Sequence, residues 1–343
     1  AERAAIRPES VRWGTLLACA EMLLSGTTTC CDGYFYEDCV AEAVQTAGLR
    51  AVLAQGVIDH PAPGVPDPTQ NLLHAGRFCQ QWRKRTPTIR PSIFCHSPVT
   101  CRRETLVHAK QLCNDYDLLF QVHAAETRCE ADRIRSTTGL SPIAYLDRAG
   151  VLDERTLLVH CVWVDEADIA VIAERRAVVS HNPESNMKLA SGIAPVARMQ
   201  AAGICIGLGS DGCASNNDMD LFYAMDLAAK LQKTACGDPT VLPASSAIRM
   251  ATIDGARALG LEHEIGSIEP GKQADLILID TRVPHLTPMH HPASAVVYAA
   301  KGSDVSTAMV GGRVLMKERR LQTLDGEEIM FHVKRIAAAG TSF

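Results

Sequence analysis

Residues 178–220 read VVSHNPESNMKLASGIAPVARMQAAGICIGLGSDGCASNNDMD, framed by two short apolar runs at 177–180 and 204–208. Both runs stop at polar residues. Between them the spacing predicts a helix over 193–202, closed by Gly203 at the position where a left-handed residue is needed. The order is strand, loop, helix, strand. Apolar runs without polar alternation are buried on both faces, as a parallel sheet demands. Asp211 follows the second run between Gly209 and Gly212. A carboxylate there would face the mouth of a parallel barrel, where catalytic groups gather. A Ser-Asp-Gly turn with no further role is the plain alternative.

The same alternation continues outward. Strands are expected at 27–31, 51–58, 89–95, 118–122 and 156–160, and helices at 37–47, 69–85, 104–115, 142–149 and 166–175. A further helix, signalled by Pro8-Glu9, opens the chain over 12–24. Alternating strands and helices point to the α/β class. Seven strands fall one short of a (β/α)8 TIM-type barrel, so the expected fold is such a barrel lacking its first strand. An open doubly wound sheet would carry a Gly-rich turn after its first strand, and Asp32-Gly33-Tyr34 is not one. After Asp220 a helix runs to about Lys233, and another covers 244–259. The chain then changes character: 266–280 is a turn and strand, with further strands at 295–298 and 307–315 and a hairpin signal at Gly311-Gly312. The expected division is a hydrolase barrel over 1–261, a small β-sandwich portion over 262–330 and a tail over 331–343. The loop at 60–70 packs four prolines into eleven residues and is either a pocket wall or a plain surface loop.

At 343 residues the chain is long enough for one large domain and a small appendage. A net charge of −5 with scattered basic residues argues against a nucleic-acid or anionic-membrane partner. No apolar run approaches the roughly 18 residues of a spanning helix. Thirteen cysteines without a C-x-x-C pair fit a reducing cytoplasm better than a disulfide scaffold. The first residue is Ala and no signal peptide precedes the first helix, so the chain is read as cut at its front.

Polar groups at strand ends are the candidates for chemistry. His96, His123 and His160 each follow an apolar run, as Asp211 does. A single such His is usually a structural hydrogen-bonder, but a barrel brings four strand ends to one pocket. Imidazole and carboxylate together suit zinc or iron. Glu126, three residues past His123, could be an acid/base carboxylate or merely sit on a helix dipole. His181 could shape the rim or brace a turn. His60, His74, His108, His263, His285, His290, His291 and His332 are expected to face solvent.

The series VHAAET, LLVHCVWV, VVSHNPESNMKLASGIAPV, GLGSDGCASNND and IGSIEPGKQADLILID resembles the amidohydrolase superfamily. Within it the chain is similar to the 5-methylthioadenosine/S-adenosylhomocysteine deaminases of the cytosine-deaminase/triazine-hydrolase branch, along essentially its whole length. The resemblance implies one divalent metal, zinc before iron, held by an H-x-H pair from the first strand together with His123 and Asp211. It implies that His160 polarises the attacking water or stabilises the oxyanion, and that Glu126 binds the purine and shuttles a proton to its ring. Asp211 would take the water's proton, and His96 would contact the nucleoside. Two-metal relatives carry a carbamylated Lys or a Glu where this chain has His96, so a single metal is implied.

No H-x-H occurs in these residues. The family places that pair on the strand missing from the count, and both observations lead to the expectation of an N-terminally truncated chain with weak zinc affinity. The implied reaction is hydrolytic deamination of an adenine nucleoside derivative to its inosine counterpart and ammonia. The alternatives are a guanine or oxidised-guanine deaminase or triazine hydrolase on the same scaffold, and an inactive fragment or pseudoenzyme acting by binding. A nucleoside is the expected partner, with assembly into a homo-oligomer left open.

Overall fold

The computed structural model describes residues 6–340. Along the chain run α1 (Pro8–Ser25), β1 (Thr29–Tyr34), α2 (Glu37–Ala47), β2 (Arg50–Val57), α3 (Asn71–Trp82), β3 (Ile89–Cys95), α4 (Arg103–Tyr116) and β4 (Phe120–Ala124). There follow α5 (Arg128–Thr138), α6 (Pro142–Arg148), β5 (Thr156–His160), α7 (Glu166–Arg175), β6 (Val178–His181), α8 (Pro183–Lys188), α9 (Val196–Ala201) and β7 (Ile206–Leu208). Then come α10 (Leu221–Cys236), α11 (Ala244–Ala251), α12 (Ile253–Ala258), β8 (Leu276–Ile279), α13 (Pro292–Tyr298), β9 (Val305–Val310), β10 (Arg313–Lys317), β11 (Arg320–Leu321) and α14 (Gly326–Gly340).

Seven strands alternating with helices are what the apolar runs predicted. The pairings β1–β2, β4–β5, β5–β6 and β6–β7 are all parallel. Every residue of β2 is buried, the mark of a strand covered on both faces. This is the α/β alternation of the TIM-barrel class, and no eighth strand of the series occurs among the described residues.

Several expectations are corrected. Residues 295–298 are helical, not a strand: Pro292 occupies the first turn and the His291 side chain accepts from Ser294 N. An apolar run that short carries no decisive period. The strand expected over 307–315 is the hairpin β9–β10, bent at Gly311 and Gly312, both at positive φ. The helix over 244–259 breaks at Thr252, whose φ and ψ are −130° and −102°. Two helices went unforeseen. α5 is polar nearly all round, with only Ala131 and Ile134 buried, and α8 is too short to show a period. α14, likewise unforeseen, begins before the expected tail and runs through it as far as residue 340, and its Ile329 packs with Leu16 and Ala43. His332 stacks on Trp13 at 3.9 Å and so is not a solvent-facing residue.

The chain forms two compact units. One runs through residue 94 and takes in 273–279 and the chain from 305 onward. It joins β1–β3 and their helices to the antiparallel sheet β8–β11, whose β9 packs against α1. A buried ion pair fastens this unit: Arg50 of β2 donates through Nε and Nη2 to the two carboxylate oxygens of Asp275, at 2.6 and 3.1 Å. The other unit comprises 95–272 and 280–304 and holds β4–β7. All the strand-end residues considered next lie in it.

Candidate active site

Register aligns the ends of β4–β7. Ala124 lies opposite His160, Val159 opposite Ser180, and His181 opposite Leu208. His123, His160, His181 and Asp211 therefore emerge along one edge of the sheet. Four non-glycine residues there adopt the left-handed conformation: Ala125 (φ 52°), His160 (81°), Cys161 (48°) and Asp211 (62°). Such backbone costs about 1–3 kcal/mol per residue and concentrates where function requires it. The turn after β5 is secured to β4 by Cys161 N to Ala124 O (3.1 Å) and Trp163 N to Ala125 O (2.8 Å).

Three imidazoles meet at this edge. The ring centroids of His96 and His123 are 5.4 Å apart, edge to face, and those of His123 and His160 are 5.3 Å apart. His123 Nδ1 donates to the backbone carbonyl of His96 at 2.7 Å. A carbonyl can only accept, so His123 carries its proton on Nδ1 and presents Nε2 to a ligand. Part of its surface is accessible, yet burial first, then His160 and His96, pushes its pKa down and keeps it neutral. The His96 ring is exposed and bonds Thr100 Oγ1 at 2.8 Å.

His160 is buried, with Nδ1 2.8 Å from Asn186 Oδ1. Its Nε2 stands 3.9 Å from Glu126 Oε2, beyond hydrogen-bond range but within easy reach on substrate binding. Glu126 is placed by Glu130, whose Oε2 accepts from Glu126 N at 2.8 Å and whose Oε1 accepts from Ala125 N at 3.2 Å. Burial pushes the Glu130 carboxyl up to about 7. Asp211 accepts from Ser185 Oγ at 2.7 Å and from Gly212 N at 2.6 Å.

The helix α8 brackets the whole arrangement. Ser185 holds Asp211, and Asn186 holds His160. Glu184 accepts from Asn216 Nδ2 at 2.8 Å, while Lys188 bonds Asn217 and Ala214 O, both on the loop after β7. The sequence alone marks no role in this segment for Ser185 or Asn186. The signal available was its density of small polar residues directly after an apolar run. His181 is 1% exposed, and neither ring nitrogen has a hydrogen-bond partner among the described residues. Burial first, then His160, lowers its pKa to about 3.

His123 and Asp211 interact electrostatically and offer one imidazole nitrogen and one carboxylate, a donor pair suited to a divalent ion. The support around each donor is of the kind metal ligands receive: a carbonyl on the imidazole, a hydroxyl and an amide on the carboxylate. No group of three or more His, Cys, Asp or Glu side chains is placed to hold a metal among the described residues. The pair fits such an ion in chemistry but is by itself half of a four-donor shell.

The model of the Amidohydrolase family matches residues 2–315. The chain is 44% identical over 337 residues to 5-methylthioadenosine/S-adenosylhomocysteine deaminase 1 of Syntrophus aciditrophicus, covering 98% of this chain and 76% of that protein. Among solved structures it is similar to an adenosine deaminase from Xanthomonas campestris with bound zinc, at 37% identity and a TM-score of 0.96, covering 98% of this chain and 77% of the other. An atrazine chlorohydrolase from Arthrobacter aurescens complexed with zinc matches with a TM-score of 0.90 at 23% identity, over 98% of this chain and 78% of the other. That likeness is one of fold alone. The chain spans about three quarters of the length of these relatives.

Proposed function

The chain belongs to the amidohydrolase family, and from that premise we propose that it is a hydrolytic deaminase of adenine nucleosides. The substrates are of the methylthioadenosine, adenosylhomocysteine and adenosine kind, and the products are the inosine derivative and ammonia. The observation that carries this reading is the approach of Glu126 to His160 beside His123, with each group held by a dedicated partner. The names of the relatives support the substrate class. The guanine and triazine alternatives have only a shared scaffold behind them.

His123 and Asp211 would hold a single divalent ion, zinc by preference. Bound there, the ion would supply Lewis acidity, bringing the pKa of water towards about 7. The chain's own residues do the remaining work. Asp211 takes the proton of the attacking water and passes it to the departing amine. Glu126 protonates the purine ring nitrogen, so that C6 accepts the water oxygen without a full negative charge building on the ring. His160, its Nδ1–H donated to Asn186, turns the Nε2 lone pair toward the attacking water and polarises it. Exposed His96 contacts the nucleoside. One C–N bond breaks and one C–O bond forms; ammonia leaves with the proton carried by Asp211, and the C6 hydroxyl returns its proton to Glu126 as the carbonyl forms.

By this reading the hydrolase portion is residues 1–261, with 262–330 as an accessory β portion and 331–343 as a tail. An odd count of thirteen cysteines with no C-x-x-C pair supports a reducing cytoplasm. No helix among the described residues is long and apolar enough to cross a membrane. Assembly into a homo-oligomer is compatible with this function. The test is ammonia release from methylthioadenosine, adenosylhomocysteine and adenosine by the protein supplied with excess zinc. Turnover of at least one, abolished by Glu126→Gln, is expected. Absence of turnover on all three would favour the inactive-chain alternative.

A further inference from the structure

The loop that carries Asp211 is held by side chains of α8, and one of the holding groups is an acid that takes no part in the chemistry above. We propose that Glu184 is a positioning residue for the reaction: while neutral it keeps the loop over 211–220 fastened to α8, and on losing its proton it loosens the loop and Asp211 with it. This rests on the deaminase reading and adds a pH response to it.

The loop needs holding. It turns through two non-glycine residues in the left-handed conformation, Asp211 (φ 62°) and Asn217 (φ 87°). Backbone of that kind persists only where the surroundings impose it. Here α8 imposes it. Ser185 Oγ donates to Asp211 Oδ2 at 2.7 Å, and Lys188 Nζ donates to Ala214 O at 3.2 Å and to Asn217 Oδ1. The third fastening is Asn216 Nδ2, which donates to Glu184 Oε2 at 2.8 Å. A serine hydroxyl and a lysine ammonium keep their charge through the neutral range. A carboxyl in the right surroundings does not.

Glu184 has such surroundings. The Asn216 amide spends its other hydrogen on Asp218 O at 3.0 Å, so one nitrogen draws Glu184 and residue 218 together. Asp218 Oδ1 accepts from Asp220 N at 3.0 Å, which brings a third carboxylate into the group. No cation offsets them. Lys188, on the same helix, is spent on the loop. On α10, which packs against α8, Asp226 pairs with Lys230 and Lys233 bonds Val241 O and Leu242 O. Asp218 and Asp220 are thus the charges that bear on Glu184. Burial first, with these two carboxylates adding to it against the pull of the Asn216 bond, pushes its carboxyl up to about 7. A folded pKa above the ordinary value means that the fastened arrangement is favoured in full at low pH and loses that contribution as pH rises through about 7. Above it, three like charges meet around one amide, and movement of the loop away from α8 separates them. A contact that served only the fold would affect stability without tying the rate to the protonation of this one group.

The experiment follows kcat/KM from about pH 6 to about pH 8.5, with excess zinc and whichever of the three nucleosides turns over fastest, in wild type, Glu184→Gln, Glu184→Ala and Asn216→Ala. Hydrogen exchange of the amides over 212–220, corrected for the intrinsic rate at each pH, is measured beside it. Glu184→Gln keeps an oxygen acceptor for Asn216 and cannot ionise. It is expected to match wild type within about twofold at the acid end and to exceed it about fivefold at the alkaline end. Exchange over 212–220 is expected to quicken with pH in wild type and to stay level in Glu184→Gln. Glu184→Ala and Asn216→Ala lose the bond and are expected to be impaired at every pH. Parallel profiles of wild type and Glu184→Gln, in rate or in exchange, overturn the proposal and leave the deaminase reading standing. A wild-type protein that turns over none of the three overturns that reading, and the exchange profiles then uphold or overturn the hold of Glu184 on the loop by themselves.

Discussion

Replacing Asn186 by alanine removes the acceptor that holds the His160 ring, and the expected product is a folded protein with little activity. The stability cost follows from two opposed terms. The substitution strands the buried His160 Nδ1–H, which costs about 1–3 kcal/mol. It also deletes Asn186 Nδ2, a buried donor that has no partner in the intact protein, and so relieves a burden of similar size. The net change is expected to stay below about 2 kcal/mol in urea unfolding. Catalysis has no such offset. Without its acceptor the imidazole can exchange tautomers and tilt away from Glu126, and the loss of an oriented acid/base group costs about 10²–10⁴ in rate. Asn186→Asp keeps an acceptor at that position, so part of the activity should return. The assay is ammonia release under zinc saturation, run beside the unfolding curves. If Asn186→Ala keeps kcat/KM within about threefold of wild type, His160 does not work through a fixed tautomer and the role given to it here is wrong.

Ser185→Ala deprives Asp211 of one hydrogen bond and is expected to weaken zinc binding about 10–100-fold in a chelator competition. Arg50→Met leaves Asp275 buried without its partner; a loss of about 3–5 kcal/mol is expected in denaturant unfolding. Glu130 shapes the pH dependence of stability. Its folded pKa is raised, so its contribution is complete below the ordinary carboxyl pKa and disappears as pH rises through about 7. Wild type should therefore lose stability relative to Glu130→Gln between pH 5 and 8, by at most about 3 kcal/mol; parallel melting curves at the two pH values would check it.

The fold was legible because its strands carry runs such as the LLV of TLLVH and ICIGL, whose apolarity admits few readings. The helices over 37–47 and 166–175 emerged with their observed bounds. The failures share a cause. A polar helix such as α5 has only two buried residues to give it a period, and α13 is marked by a Pro and a His cap more than by its apolar run AVV. At the site, residues at strand ends could be found from the positions where apolar runs stop. Their supporting partners could not, because Asn186 reaches His160 across 26 positions and Ser185 reaches Asp211 across the same number. Nothing local in SNMKLASG says which oxygen faces which strand.

A six-residue helix that steadies two strands at once makes those strands' reactive groups share a fate. A backbone change within Pro183–Lys188 would disturb the imidazole and the carboxylate together, so damage there should be all-or-none in character. Anyone wishing to redirect the enzyme toward a new ring system would do better to leave this brace untouched and redraw the outer rim, where alterations can accumulate one at a time.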